Sequence, residues 1–163
     1  MINKENQIIQ PTLSVVFFCF FVIIIIGENM IEVRDYSDTD LDSVNEILKE
    51  AFNEAKRNFK NNNFRELVVC VDGKVAGYLL MTRILNPIKE KFYYLVDYVC
   101  VSSNYRRMGL GRKLMDEVYS IAKDNNAIYI QLTSSRHREA AHKLYLSCGY
   151  VKRDSDIFRK DIL

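Results

Sequence analysis

Phe92-Tyr93-Tyr94-Leu95-Val96-Asp97-Tyr98-Val99-Cys100-Val101 leads, through Ser102-Ser103-Asn104-Tyr105, into Arg106-Arg107-Met108-Gly109-Leu110-Gly111-Arg112. The first stretch is apolar, aromatic and β-branched, the composition of a buried strand. The second carries two glycines. It then opens onto Leu110, Leu114, Val118, Ile121 and Ala122, spaced as one face of a helix over Gly109 to Ala122. Strand, glycine loop and helix in that order make an anion cradle. Glycine lets the backbone approach closely, loop N–H groups converge, and the helix start adds positive potential. Arg106, Arg107 and Arg112 reinforce it. A solvated basic turn has the same composition, but the strand before and the helix after are what phosphate binding requires.

Outward from this segment the elements follow in a regular order. Met30 to Arg34 alternates as a short strand. Ser37-Asp38-Thr39-Asp40 offers capping oxygens to a helix with an apolar stripe at Leu41, Val44, Ile47, Leu48, Ala51 and Phe52, read as far as Phe59. Asn61-Asn62-Asn63 interrupts. Leu67 to Val71 and Val75 to Ile84 are strands joined by the tight-turn pair Asp72-Gly73, and Asn86-Pro87 marks a loop. After the central helix, Asn125-Asn126 precedes a strand over Ala127 to Leu132. A helix from Glu139 to Ser147 is closed by Gly149. Tyr150 to Arg153 and Ile157 to Lys160 read as a terminal strand pair. The class is α/β, a mixed sheet with flanking helices, and residues 30–163 form one domain.

Composition narrows the function classes. In 163 residues, 48% are hydrophobic, enough for a core, and the formal net charge is only +2. That balance, with no basic stripe, argues against nucleic acid. Cys19, Cys70, Cys100 and Cys148 are widely spaced, with no C-x-x-C pair. No metal site and no disulfide framework is expected, and free thiols fit a reducing, cytoplasmic setting.

Residues 1–29 differ from the rest. Leu13 to Ile26 is almost unbroken apolar sequence. At roughly 14 residues it falls short of the roughly 20 of a spanning helix. Lys4 sits beside Glu5, and no small-residue cleavage site follows, so a signal peptide fits poorly. Three readings stand open: a membrane anchor through residues 13–26, an apolar element covered by the fold or by a partner, or an extension outside the working protein, with the domain starting at Met30. Detection of residues 1–29 in protein sequenced from its native host excludes the start at Met30.

The R-x-x-G-x-G stretch resembles the acetyl-CoA pyrophosphate loop of the GNAT N-acetyltransferase superfamily. Ala141-His142-Lys143-Leu144-Tyr145-Leu146-Ser147-Cys148-Gly149-Tyr150 is similar to that family's second hallmark, A-x-x-L-Y-x-x-x-G-[FY]. The element order from Met30 to Leu163 also resembles the family. The resemblance implies that the backbone of Val99 and Val101, flanking Cys100, binds the acetyl and pantetheine arm. It implies that the N–H groups of Arg107, Met108, Gly109, Leu110, Gly111 and Arg112 hold the pyrophosphate. It implies that Tyr145 protonates the departing thiolate. Many members place a pantetheine-binding asparagine seven residues before that tyrosine; here the position is Arg138. The run Leu132-Thr133-Ser134-Ser135 with Arg138 to His142 looks more like the small-amine branch of the family.

The reaction so implied moves acetyl from acetyl-CoA directly to a primary amine, with a small-metabolite amine favoured. A protein N-terminus or lysine, or a non-enzymatic acyl-CoA-binding module, are the alternatives. Attack needs the amine to lose a proton, and a nearby carboxylate can accept it. Asp97 is the candidate, because a carboxylate inside an apolar strand needs a reason. Alternation to the solvent face, or pairing with a cation, would equally account for it. Tyr145 could equally be a core tyrosine with its hydroxyl at the rim. His137 and His142 read as structural, Cys100 as packing, and Tyr93, Tyr94 and Tyr98 as sheet packing and cleft lining. Selectivity for the acceptor is expected from Leu41 to Phe59 and from the loop Asn86 to Lys91. A monomer or a homodimer fits.

Overall fold

A computed structural model describes residues 29–55 and 62–162. The apolar run at 13–26 lies outside the described residues, among which no helix is long and apolar enough to cross a membrane. The elements are β1 (Ile31–Asp35), α1 (Leu41–Phe52), β2 (Phe64–Val71), β3 (Lys74–Asn86), β4 (Lys91–Val101), α2 (Leu110–Asp124), β5 (Ile130–Leu132) and α3 (Glu139–Ser147). The sheet order is β1-β2-β3-β4-β5. The first four strands are antiparallel neighbours and β5 runs parallel to β4, which gives the mixed sheet expected from the sequence.

Alternation along the strands makes two apolar faces. On one, Val68, Cys70, Tyr78 and Cys100 pack against Val44, Ile47 and Leu48 of α1. On the other, Leu67, Val69, Leu79, Met81 and Val96 pack against Leu110, Leu114, Met115 and Val118 of α2. α3 leans on that second face through Leu144 and Tyr145. The hairpin between β2 and β3 turns at Asp72 and Gly73, both left-handed (φ +50° and +76°), as the Asp-Gly pair predicts.

Three expectations are corrected. The first helix ends at Phe52, not Phe59, because Asn53 adopts a left-handed cap (φ +56°) whose N–H donates to Lys49 O at 3.1 Å. The strand expected over Ala127–Leu132 is regular only over Ile130–Leu132. Its earlier part joins β4 through single bonds, Ile128 N to Phe92 O and Tyr94 N to Tyr129 O. The terminal strand pair does not form. Val151, Ile157, Phe158 and Ile162 are all exposed, and a strand holds only with a paired ladder and a buried face.

The entry to α1 is tied by a near-buried carboxylate. Asp40 accepts from Arg34 Nη1 and Nη2 at 2.7 and 2.9 Å and from Ser37 N at 2.8 Å. The Arg34 hydrogen bond holds the Asp40 carboxyl below its ordinary range. Its stabilisation is therefore full at neutral pH and is lost as pH falls below about 4, through the lowered folded value. Asp40→Ala leaves Arg34 and Ser37 without this acceptor and should cost about 2 kcal/mol in urea unfolding. The difference from the parent should shrink below about pH 4; a constant difference across that range contradicts the account.

Candidate active site

The site begins where β4 loses a neighbour. β5 pairs with β4 from Tyr94↔Ile130 only as far as Val96↔Leu132. Beyond Val96 no described strand pairs with the outer edge of β4, while its inner edge stays paired, Tyr78 with Cys100 and Gly77 with Val101. Between these blocks lies a bulge. Leu80 pairs with Asp97 and Tyr78 with Cys100, so Tyr98 and Val99 together oppose Leu79. Tyr98 takes the left-handed conformation, φ +56°. The extra residue exchanges the faces of the strand. Tyr94 and Val96 belong to the α2 side, and so do Val99 and Val101, whereas Cys100 joins the α1 side.

The bulge also sets the direction of the backbone groups. Ser102 N–H donates to Ala76 O at 2.9 Å, towards β3. By strand alternation, Val101 and Val99 turn their N–H and C=O towards the side that β5 has left. Cys100 itself is buried, and its Sγ lies 3.6 Å from Tyr78 O. Burial pushes its thiol up to about 12, so it stays protonated and serves as packing.

The glycine loop follows a short turn, Ser103–Tyr105. Arg107 and Gly109 are left-handed, at φ +65° and +75°. Gly109 is the N-cap of α2 and has no side chain to satisfy the helix start. The first backbone bond of this end is Lys113 N to Gly109 O, 3.1 Å. The N–H groups of Leu110, Gly111 and Arg112 therefore lack intrahelical acceptors. This is a cradle that fits a diphosphate. Gly111 has a further reason to be glycine, because a Cβ there would lie 2.9 Å from Leu144 Cδ2 of α3. Its lack of a side chain lets the two helices meet.

The arginines divide. Arg106 Nη2 pairs with Glu50 Oε1 at 3.2 Å, and Arg112 Nη2 donates to Ser147 O at 2.8 Å, at the end of α3. Arg107 is exposed on the left-handed turn. Leu110 is buried in the α2 core and Met108 packs beside it, so both offer the cradle only backbone groups.

Tyr145 sits on α3, half-buried, its ring 6.2 Å from that of Tyr150. Burial raises its phenol above the ordinary value, and the nearby Arg138 charge opposes this. Arg138 caps the start of α3. Its guanidinium lies 4.3 Å over the Phe52 ring and 3.4 Å from Ala51 O, so it is engaged by the end of α1. Phe52 in turn meets Tyr98 edge-on at 5.4 Å. Asp97 is half-buried just before the bulge, and desolvation alone pushes its carboxyl above the usual range. His137 is exposed and His142 half-buried. Among the described residues no group of three or more His, Cys, Asp or Glu is arranged to hold a metal.

The family model described as "Acetyltransferase (GNAT) family" matches residues 31–150. The chain belongs to that family. It is an acyltransferase. Among curated proteins it is similar to the catalytic subunit of the N-terminal acetyltransferase B complex of Schizosaccharomyces pombe, with 27% identity over 74% of this chain and 71% of that one. Among solved structures it is similar to a ribosomal-protein-alanine N-acetyltransferase from Brucella melitensis biovar Abortus (TM-score 0.70, 18% identity, 82% of this chain and 99% of that one). An aminoglycoside acetyltransferase from an uncultured soil metagenomic sample is as close in fold (TM-score 0.70, 16% identity, 82% of this chain and 96% of that one). These structures share the mixed sheet with flanking helices.

Sequence reading missed the bulge at Tyr98 and the roles of Glu50 and Phe52. Nothing in an apolar run marks a left-handed tyrosine, and Glu50 looks like any charge on a helix end. The close passage of β3 past the bulged strand is testable. A Cβ on Gly77 would lie 2.8 Å from Cys100 O and 2.9 Å from Val69 Cγ1. Gly77→Ala should cost about 2 kcal/mol in chemical unfolding, since backbone has to move; an unchanged midpoint contradicts this packing.

Proposed function

We propose that this acetyltransferase transfers acetyl from acetyl-CoA directly to a primary amine in the gap between β4 and α3. The observation that carries the reading is the edge of β4 that no described strand pairs beyond Val96, followed after one short turn by a helix start that lacks a side-chain cap. One ligand with an amide-bearing arm and a diphosphate satisfies both. Val99 and Val101 hold the arm by backbone groups, as a further strand would be held. The N–H groups of residues 107–112 hold the diphosphate, with Arg107 adding charge. Acetyl-CoA supplies the activated thioester.

Asp97 accepts the proton that the ammonium must lose, directly or through water. Its raised carboxyl brings it closer to the range in which a general base works best. Tyr145 donates its phenolic proton to the departing thiolate. Because burial keeps the phenol neutral to higher pH, the proton is available throughout the physiological range. Arg138 orders the acceptor side by stacking on Phe52. Cys100 takes no part in the chemistry.

A small-metabolite amine is the first reading of the acceptor, on the likeness of residues 132–142 to the small-amine branch. A protein α-amine is the second, favoured by the similarity to the Schizosaccharomyces pombe subunit, whose name describes N-terminal acetylation. Release of free coenzyme A measured across polyamines, amino sugars, aminophosphonates and short peptides separates the two. Turnover with peptides alone overturns the first reading, and binding without transfer to any amine overturns both.

Two substitutions test the roles. Asp97→Asn should lower kcat/KM about 100-fold at low pH, with the loss shrinking as pH rises and the free amine becomes abundant. A parallel shift at every pH removes Asp97 from the proton path. Tyr145→Phe should lower kcat about 100-fold while acetyl-CoA affinity is retained; full activity would exclude the phenol as the acid.

A further inference from the structure

Glu50 stands on the last turn of α1, yet its carboxylate is bonded to the segment that leads into the glycine loop. Ser103 N–H donates to Glu50 Oε1 at 3.0 Å and to Oε2 at 3.3 Å. Arg106 Nη2 donates to Oε1 at 3.2 Å. Ser103 begins the short turn that follows β4. The next two backbone bonds, Tyr105 N to Ser102 O and Arg106 N to Ser103 O, are built on that start. One carboxylate thus fixes the first residue of the turn and the first arginine of the loop.

The last turn of α1 is itself held on its other side. Ala51 O accepts from Arg138, and the Phe52 ring contacts both the Arg138 guanidinium and the Tyr98 ring. Arg138 heads α3 and Tyr98 is the bulge residue of β4. The turn bearing Glu50 is therefore braced against both walls of the gap, so Glu50 has a fixed platform from which to hold the loop.

We propose that Glu50 is a positioning residue for cofactor binding: it holds Ser103 and Arg106 so that the N–H groups of residues 107–112 are arranged for a diphosphate before the ligand arrives. This rests on the reading of the loop as the acetyl-CoA site. The Glu50–Arg106 pair by itself is worth little, since the two side chains are 36% and 62% exposed. The Ser103 bond differs, because a carboxylate on a backbone N–H orders the chain rather than another side chain. Ordering the loop beforehand removes that cost from binding.

A second expectation runs the other way. An acidic group beside an anion site repels the anion, so a Glu50 with no positioning role would weaken binding, and its removal would tighten it. The two are separated by titrating the full chain with coenzyme A in a calorimeter, with Glu50→Ala and Glu50→Gln beside the parent. Positioning predicts that Glu50→Ala binds about tenfold more weakly. Glu50→Gln, which keeps an oxygen for Ser103 N–H, should recover most of that loss. In turnover, Glu50→Ala should raise KM for acetyl-CoA with kcat nearly unchanged. Equal or tighter binding by both variants overturns the proposal. A parent chain that fails to bind coenzyme A overturns instead the assignment of the site on which it rests. Should Glu50→Ala not fold, Glu50→Asp decides, since it keeps the charge but withdraws the carboxylate from Ser103 N–H: weaker binding than the parent supports positioning, and equal or tighter binding overturns it.

Discussion

The separation of β5 from β4 beyond Val96 is the constraint on which the site depends. A parallel partner continued past that point would satisfy the outer edge of β4 with its own backbone, leaving nothing for a ligand. Because the pairing stops, no described strand takes up the outward backbone groups of Val99 and Val101, and half-buried groups of this kind call for a partner. The bulge at Tyr98 and Val99 acts at the same place. It turns Val99 and Val101 to the α2 side and Cys100 to the α1 side, so apolar packing continues on both faces of a strand whose edge is open.

α2 and α3 are built as a unit. Gly111 lets Leu144 come close, and Arg112 binds the carbonyl of Ser147 at the far end of α3. The helix start that offers N–H groups and the helix that carries Tyr145 are joined by these contacts. The end of α1 is linked to α3 through Arg138 and Phe52 and to the glycine loop through Glu50. Elements from distant parts of the chain thus meet around the gap, and a few polar contacts keep them in register.

Much of this was legible in the sequence because it rests on local rules. The strand-loop-helix order around Gly109, the Asp72-Gly73 turn and the α2 stripe at Leu110, Leu114 and Val118 follow from periodicity and backbone preference. The mixed sheet followed from the element order. The parts that were not legible depend on contacts between distant segments. Arg106 and Arg112 looked like anion ligands, and their guanidinium groups were found bonded to Glu50 and to the end of α3. Gly111 looked like a residue for approach to a ligand, and the space it leaves is filled by Leu144. The tail after Tyr150 shows the converse: Ile157 and Phe158 have the composition of a strand, but composition supplies no partner edge.

Tyr98 is a bulky side chain held in a backbone conformation that glycine adopts freely, and such a placement stores of the order of 1 kcal/mol of strain. The strain is offset by the edge-on contact with Phe52, through which the bulge, α1 and Arg138 are joined. Stability and site order therefore make opposite demands on this one position. A chain selected only to resist unfolding would drift towards glycine there, and in doing so would lose the ring contact that ties β4 to the end of α1.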